Sequence, residues 1–184
     1  MAKRLPKTIS TDDIKKLMKQ PNRKAPTGLR NYCMIVLMYR AGLRVSEATG
    51  LKCNQIDWKG EALRVIGKGD KERLIPLEPW VIDTLIKWKE IKPKSRELFC
   101  TLEGKPLERR YINAMLERYS DKAGIERVNP HALRHTYATE LLTDGLNIRE
   151  VQQVLGHSSV TTTMIYTHVN PLELASKIKG RPAI

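Results

Sequence analysis

The chain has little of what builds disulfide-linked or membrane-spanning proteins. Its 184 residues include three cysteines, Cys33, Cys53 and Cys100, which are too few and too widely spaced for a zinc site or a disulfide framework. The longest apolar run, Tyr32 to Tyr39, is far shorter than the roughly 20 residues that cross a bilayer. The first residues are charged and lack the apolar stretch of a signal peptide. These absences predict a cytoplasmic protein with no membrane partner.

Cofactor signatures are also scarce. The sequence has no glycine-rich nucleotide-binding loop and no internal repeat. His131 and His135 are four residues apart, as a metal-binding pair would be, but the glutamate of His-Glu-x-x-His and a third ligand are missing. We therefore assign His135 a structural role and predict neither a metal ion nor an organic cofactor.

Positive charge is abundant. The formal net charge is +13 and the isoelectric point is near 9.8. The first thirty residues hold nine Lys or Arg against two Asp, so more than half of the excess lies there. A solvated surface or a disordered basic arm is one explanation. A charge this large favours a nucleic-acid partner, although a ribosomal protein would have a similar composition.

Hydrophobic periodicity and turn residues predict a mainly α protein with a small antiparallel β-sheet, that is, an α+β fold of one domain. In the helix that starts near His131, the spacing of Leu133, Tyr137 and Leu141 predicts a buried stripe, so Tyr137 is interpreted as a core residue. The predicted helices are 10–20, 28–42, 44–51, 79–90, 108–122, one from 131, 148–155 and 172–178, and the predicted strands are 55–58, 62–66 and 72–77.

The last third of the chain carries the densest set of polar signals. His131 and Arg134 are three residues apart in a helical pattern, so both project from one face and could cradle a phosphate. The segment Ile148 to Leu155 is a second predicted helix, which Gly156 ends, bringing His157 to a turn. Ser158 and Ser159 can then cap a third helix that carries Tyr166.

Two segments in the first half add basic residues. Arg44 follows Gly42 at the start of a short predicted helix, where it could also simply cap that helix or pair with Glu47. Lys68 lies between two glycines at the tip of the predicted hairpin, which allows close approach of a backbone or a nucleic acid. Lys71 or Arg73 could serve as the phosphate contact in its place.

Taken in order, these motifs resemble the tyrosine recombinase (phage integrase) family, in particular its Xer-like and phage-type catalytic domains. The resemblance covers the chain from about Thr8 to His168. It rests on Ala-Gly-Leu-Arg, the Gly-Lys-Gly hairpin, His-x-x-Arg, Leu-Gly-His and the final tyrosine. The functional positions it implies are Arg44, Lys68, His131, Arg134, His157 and Tyr166.

The resemblance implies a chemistry for each of these positions. Two forked guanidiniums, those of Arg44 and Arg134, would neutralise the non-bridging oxygens of a DNA phosphodiester during attack by Tyr166. Lys68 would protonate the departing 5′ oxygen, and His131 would assist proton transfer near the tyrosine. His157 would donate a hydrogen bond to a phosphate oxygen. The product would be a 3′-phosphotyrosyl intermediate, formed without Mg²⁺ or ATP.

The same resemblance implies a partner and an assembly. Double-stranded DNA would be the substrate, bound by a homotetramer of subunits that are monomers in free solution. Residues 1–7 would form a basic arm and residues 169–184 a tail that packs on its own domain or docks on a neighbouring subunit. The helical core-binding domain of longer family members is not expected before Thr8.

Two other functions use similar residues. A type IB topoisomerase-like nicking and closing enzyme shares the arginine, lysine and tyrosine chemistry but acts alone. A DNA-binding regulator could keep the fold without cleavage. The two histidine boxes and the tail favour a site-specific recombinase that integrates, excises or resolves DNA.

Overall fold

A computed structural model describes residues 8–66, 72–156 and 171–183. Within these ranges, eight α-helices surround one small three-stranded sheet, and this agrees with the predicted fold class. The helices are α1 (Thr11–Met18), α2 (Pro26–Arg40), α3 (Val45–Thr49), α4 (Pro79–Ile91), α5 (Arg109–Ala123), α6 (Pro130–Thr143), α7 (Ile148–Leu155) and α8 (Pro171–Lys179). The strands are β1 (Ile56–Asp57), β2 (Ala62–Ile66) and β3 (Glu72–Pro76).

Helix α2 forms the centre of the core. Nearly every residue from Gly28 to its end is buried, and it packs against both α4 and α6. The helix begins at Pro26 instead of the predicted Gly28, because proline is well suited to the first helical position, where its missing N–H would have no partner. Gly28 instead allows close packing: a Cβ there would lie 2.0 Å from the Asn22 carbonyl oxygen.

The sheet is an antiparallel meander in the order β1, β2, β3. Its long hairpin pairs Ala62 with Pro76 and Ile66 with Glu72, close to the predicted strand bounds. Alternation along β3 directs Arg73 and Ile75 to the buried face. A charged side chain at an inward position of a strand is costly unless it is paired.

Helices α6 and α7 have well-defined starts. Asn129 caps α6, since its side-chain oxygen accepts a 2.9 Å hydrogen bond from the Ala132 N–H. Asn147 and Glu150 form a capping box at the start of α7. Gly156 ends α7 in the left-handed conformation at φ 63°, as predicted.

Helix α8, in the C-terminal tail, packs against β3 and the core. Leu174 and Ile178 of α8 are buried in the common core. Lys177 pairs with Glu150 of α7 at 3.3 Å. Lys179 pairs at 2.8 Å with Glu61, the residue before β2. Apolar burial and ion pairs therefore both hold the tail.

A partly buried ionic network, here called the tail-anchor cluster, surrounds Arg181, two residues after the end of α8. It consists of Arg40, Glu78, Glu140, Asp144 and Arg181. Arg40 contacts Glu78 at 2.6 Å, and Arg181 contacts Glu140 at 2.5 Å and Asp144 at 2.7 Å. Burial raises the pKa of Glu78, although Arg40 and Arg181 oppose that effect. The cluster thereby ties the end of the chain to α2 and α6.

Over the described ranges, none of the helices is both long and apolar enough to span a bilayer.

Candidate functional site

Three arginines meet at the C-terminal end of α7. The last carbonyl groups of that helix each accept a hydrogen bond from a different guanidinium: Arg73 Nε donates to Val154 at 2.9 Å, Arg134 Nη2 to Leu155 at 2.6 Å, and Arg44 Nη2 to Gly156 at 3.2 Å. Cations are favourable here because the last carbonyls of a helix have no intrahelical partner and carry partial negative charge.

One carboxylate, that of Glu47, lies among these arginines. Its Oε1 accepts from Arg73 Nη1 at 3.0 Å and from Arg44 Nη1 at 2.9 Å. Its Oε2 accepts from Arg73 Nη2 and from the Arg44 backbone N–H, both at 2.8 Å. We call the set Arg44, Glu47, Arg73 and Arg134 the arginine hub. Burial tends to raise the pKa of Glu47, but these hydrogen bonds and the charge of Arg73 lower it overall, so Glu47 is ionised at neutral pH.

Arg134 is the deepest of the sequence-predicted site residues that the structure describes. Its side chain is buried, and its Nη1 donates a short hydrogen bond to the Gly42 carbonyl. Burial and the neighbouring charge of Arg44 lower the pKa of Arg134 to about 10, which still leaves it protonated at neutral pH. The part of this lowering that comes from Arg44 reflects like positive charges held close together.

Arg44 is more accessible, with 38% of its side chain exposed. It is the N-cap residue of α3, where its side chain makes no capping hydrogen bond, and it pairs with Glu47. Its additional bond to Gly156 joins it to the end of α7, 112 residues along the chain. The structure thus brings Arg44 and Arg134 to the same helix end.

His131 lies near the start of α6, one turn before Arg134, and is exposed. Tyr137 is fully buried in the core, as predicted. Lys68, His157 and Tyr166 lie outside the described residues, and so does the predicted third helix that carries Tyr166. Gly156, whose carbonyl accepts a hydrogen bond from Arg44, directly precedes His157 in the sequence.

The sequence alone does not predict that Arg73 belongs to the arginine hub. It makes Arg73 an alternative phosphate contact to Lys68, but in the structure the Arg73 guanidinium is buried and bound to Glu47 and Val154. The available signal was strand alternation, which puts Arg73 and Ile75 on the same inward face. The sequence indicates Glu47 as a partner for Arg44, whereas in the structure Glu47 binds both Arg44 and Arg73.

An open groove of about 530 Å³ adjoins the hub. It runs from Glu47 and Ser46 of α3 to Ile66 and Glu72, where the described part of the hairpin ends. Among residues 8–66, 72–156 and 171–183, no group of three or more His, Cys, Asp or Glu side chains is arranged to hold a metal ion.

Comparison with known proteins identifies relatives of this chain. Residues 7–173 match the model of the phage integrase family. The chain is 41% identical over 183 residues to tyrosine recombinase XerD of Lacticaseibacillus casei, covering 95% of this chain and 62% of the relative. It is 37% identical over 179 residues to tyrosine recombinase XerC of Actinobacillus pleuropneumoniae, covering 95% of this chain and 58% of the relative. The chain therefore spans about three fifths of the length of these relatives.

Solved structures show the same fold. The crystal structure of XerA recombinase superposes with a TM-score of 0.77 at 32% identity, covering 99% of this chain and 68% of that one. The integrase of mycobacterium phage Brujita gives a TM-score of 0.78 at 26% identity, with 100% and 62% covered. XerH recombinase bound to its difH substrate in a pre-cleavage complex gives 0.72 at 28%, with 96% and 55% covered. On the family match, these identities and the conserved architecture, the chain belongs to the phage integrase family of tyrosine recombinases.

Proposed function

We propose that this chain is a site-specific DNA recombinase, or the catalytic part of one, that cleaves and rejoins DNA through a 3′-phosphotyrosyl intermediate. The observation that carries the proposal is the arginine hub. Arg44 and Arg73 share the one carboxylate of Glu47 and Arg134 binds backbone carbonyls, so positive charge remains in excess around Arg44 and Arg134. A phosphodiester supplies the missing negative charge and the planar pair of oxygens that a guanidinium binds.

The hub also meets the requirement for preorganisation. Arg134 is fixed by two carbonyls and Arg44 by Glu47 and Gly156, so neither side chain has to be ordered when the substrate arrives. Donors that are already oriented stabilise charge that develops in a transition state without a reorganisation cost. A pentavalent phosphorus with two charged equatorial oxygens is such a transition state.

The covalent step follows from family chemistry. The phenolic oxygen of Tyr166 attacks phosphorus, the bond from phosphorus to the 5′ oxygen breaks, and Lys68 gives its proton to the leaving 5′ oxygen. His131 takes part in proton transfer at the tyrosine, and His157 donates to a phosphate oxygen. Attack by a 5′ hydroxyl on the phosphotyrosyl bond reverses the step and joins the strands. The proposed cleavage and rejoining steps use neither a metal ion nor a nucleotide.

The partner proposed is duplex DNA. Among the relatives, XerH has been solved on its difH substrate. The surplus of basic residues along this chain supports the same class of ligand. A homotetramer is the assembly proposed for the exchange of two strands between two sites, with subunits that are monomers in free solution.

Covalent trapping tests this function. The protein is incubated with a pool of random-sequence duplexes that each carry a nick, so that a short fragment diffuses away after cleavage and religation fails. After denaturation in SDS, wild type should retain covalently bound DNA and Tyr166→Phe should retain none. DNA binding without any adduct in wild type would support a regulator, and relaxation of a plasmid lacking the recovered site would support a topoisomerase.

A further inference from the structure

We propose that Arg73 is a positioning residue for the cleavage reaction, which holds Arg44 through Glu47 and the end of α7 through the Val154 carbonyl. The inference rests on the recombinase function proposed above. It assigns a role to Arg73, a residue outside the six expected positions, which lies on β3.

Arg73 is not free to bind a phosphate. Its residue surface is 9% exposed, and all three of its nitrogens donate to protein oxygens. Two of these bonds form a forked pair on Glu47, the geometry in which an arginine–carboxylate contact is strongest. Its contribution to the reaction therefore has to pass through the groups it holds.

The first of these groups is Glu47. Each carboxylate oxygen is shared between Arg73 and Arg44. Without Arg73, Glu47 would pair with Arg44 alone. The carboxylate would then draw the Arg44 guanidinium toward itself and neutralise the positive charge of Arg44. With Arg73 present, Glu47 is already compensated, so it can orient Arg44 while leaving its charge available to a substrate anion.

The second group is the last turn of α7. Arg73 Nε binds the Val154 carbonyl, and the Arg73 side chain lies directly against Gly156. A Cβ at Gly156 would come within 2.9 Å of Arg73 Cδ and 3.0 Å of its Nη1. Arg73 therefore contacts the residue that directly precedes His157 in the sequence.

Arg73 thus connects three elements: β3, α3 and the end of α7. A misplacement of about 1 Å at a reacting centre can slow a reaction by about 100-fold. Loss of the forked geometry at Arg73 should therefore appear in the rate of cleavage and leave the affinity for DNA nearly unchanged.

The test uses the nicked random-sequence duplex pool under single-turnover conditions. The variants are Arg73→Lys, which keeps the charge but not the fork, Glu47→Gln, and the double variant. Arg40→Lys is the matched control, since Arg40 is also buried and paired with a carboxylate but lies in the tail-anchor cluster. Rates of adduct formation at saturating DNA are divided by the folded fraction, and DNA affinity is measured separately.

We expect Arg73→Lys and Glu47→Gln each to slow adduct formation by about 10- to 100-fold. The double variant should be less slow than the product of the two single effects, because both substitutions disturb the same Arg73–Glu47 contact. DNA affinity should hold, and Arg40→Lys should keep the wild-type rate per folded molecule. If Arg73→Lys does not fold, Glu47→Gln measures the same link from the other side.

Several results would overturn the inference while wild type still forms its adduct. These are a weakened DNA affinity with an unchanged maximal rate, a rate loss in Arg73→Lys no larger than in Arg40→Lys, or a double variant as slow as the product of the two singles. Absence of any adduct in wild type refutes the recombinase function instead, and the positioning role with it.

Discussion

The arginine hub and the tail-anchor cluster are built from the same side chains but differ in charge balance. The hub has three guanidiniums and one carboxylate, and backbone carbonyls complete its hydrogen bonds. The tail-anchor cluster has two guanidiniums and three carboxylates, joined mainly to each other. A network in which carboxylates compensate every guanidinium suits a structural role, whereas one that leaves positive charge uncompensated is suited to bind an anion.

The position of Arg40 and Arg44 sharpens the contrast. They are four residues apart, on either side of the turn at Gly42 that ends α2, yet each belongs to a different network. The turn itself is tightly packed, since a Cβ at Gly42 would lie 2.5 Å from a methyl carbon of Leu155. Because of this turn, the Arg40 side chain lies in the tail-anchor cluster and the Arg44 side chain lies at the end of α7.

The largest effect should come from Arg134→Ala. The substitution removes a buried cation together with its bonds to Gly42 and Leu155. Loss of one preorganised donor to a developing oxyanion costs about 10²- to 10³-fold in rate, and we expect at least that reduction in covalent adduct. Single-turnover trapping on nicked duplexes measures it. A variant that is folded and nearly as fast as wild type would remove Arg134 from the reaction.

On the other side of the comparison, Arg181→Ala should affect stability. Arg181 is buried and binds Glu140 and Asp144, which are partly exposed, so its loss should cost less than the about 3–5 kcal/mol typical of a fully buried ion pair. Urea unfolding should show that loss in the free energy of unfolding. The adduct rate per folded molecule should not change, and a specific fall in that rate would show that the tail takes part in catalysis.

Gly156→Ala and Gly124→Ala form a matched pair. Both glycines end a helix at φ 63°, so alanine brings similar backbone strain of about 1–2 kcal/mol at either position. Only at Gly156 does the new methyl group meet the Arg73 side chain, since nothing lies within 4 Å at Gly124. We expect both variants to lose stability but only Gly156→Ala to lose cleavage rate per folded molecule. Equal rates would contradict a role for hub geometry.

The smallest effect concerns pH. The pKa of Glu47 is lowered in the folded protein, so its ionised form contributes stability above its unfolded pKa of about 4.3, and this contribution is lost as pH falls through the folded pKa. The deficit of Glu47→Gln in unfolding free energy should therefore be complete at pH 7 and shrink in acid. Urea titrations at both pH values measure it, and a deficit that grows in acid would have the wrong sign.

Much of the fold was predictable because its signals are local. Strand alternation fixed β2 and β3 to within a residue, and Gly156 marked the end of α7. The order of the motifs pointed to Arg44 and Arg134, which the structure places at one helix end. The catalytic roles of Arg44, Lys68, His131, Arg134, His157 and Tyr166 stay predictions.

Other features depend on contacts that are distant along the chain. Arg181 binds Glu140 and Asp144, which lie about forty residues earlier in the chain, and no local sequence pattern predicts this pairing. The link from Arg73 to Val154 spans 81 residues. The inward position of Arg73 on β3 indicates a buried partner, but only the tertiary structure identifies that partner.

The most direct test of the account compares Arg44→Lys with Arg40→Lys in the same trapping assay, with each rate divided by the folded fraction. Lysine keeps the charge at both positions but cannot form the forked contacts of a guanidinium. We predict that Arg44→Lys is stable and cleaves at least about tenfold more slowly, as for loss of an oriented donor, while Arg40→Lys is less stable and cleaves at the wild-type rate. The opposite pattern, or equal effects of the two substitutions, would contradict the division between the arginine hub and the tail-anchor cluster.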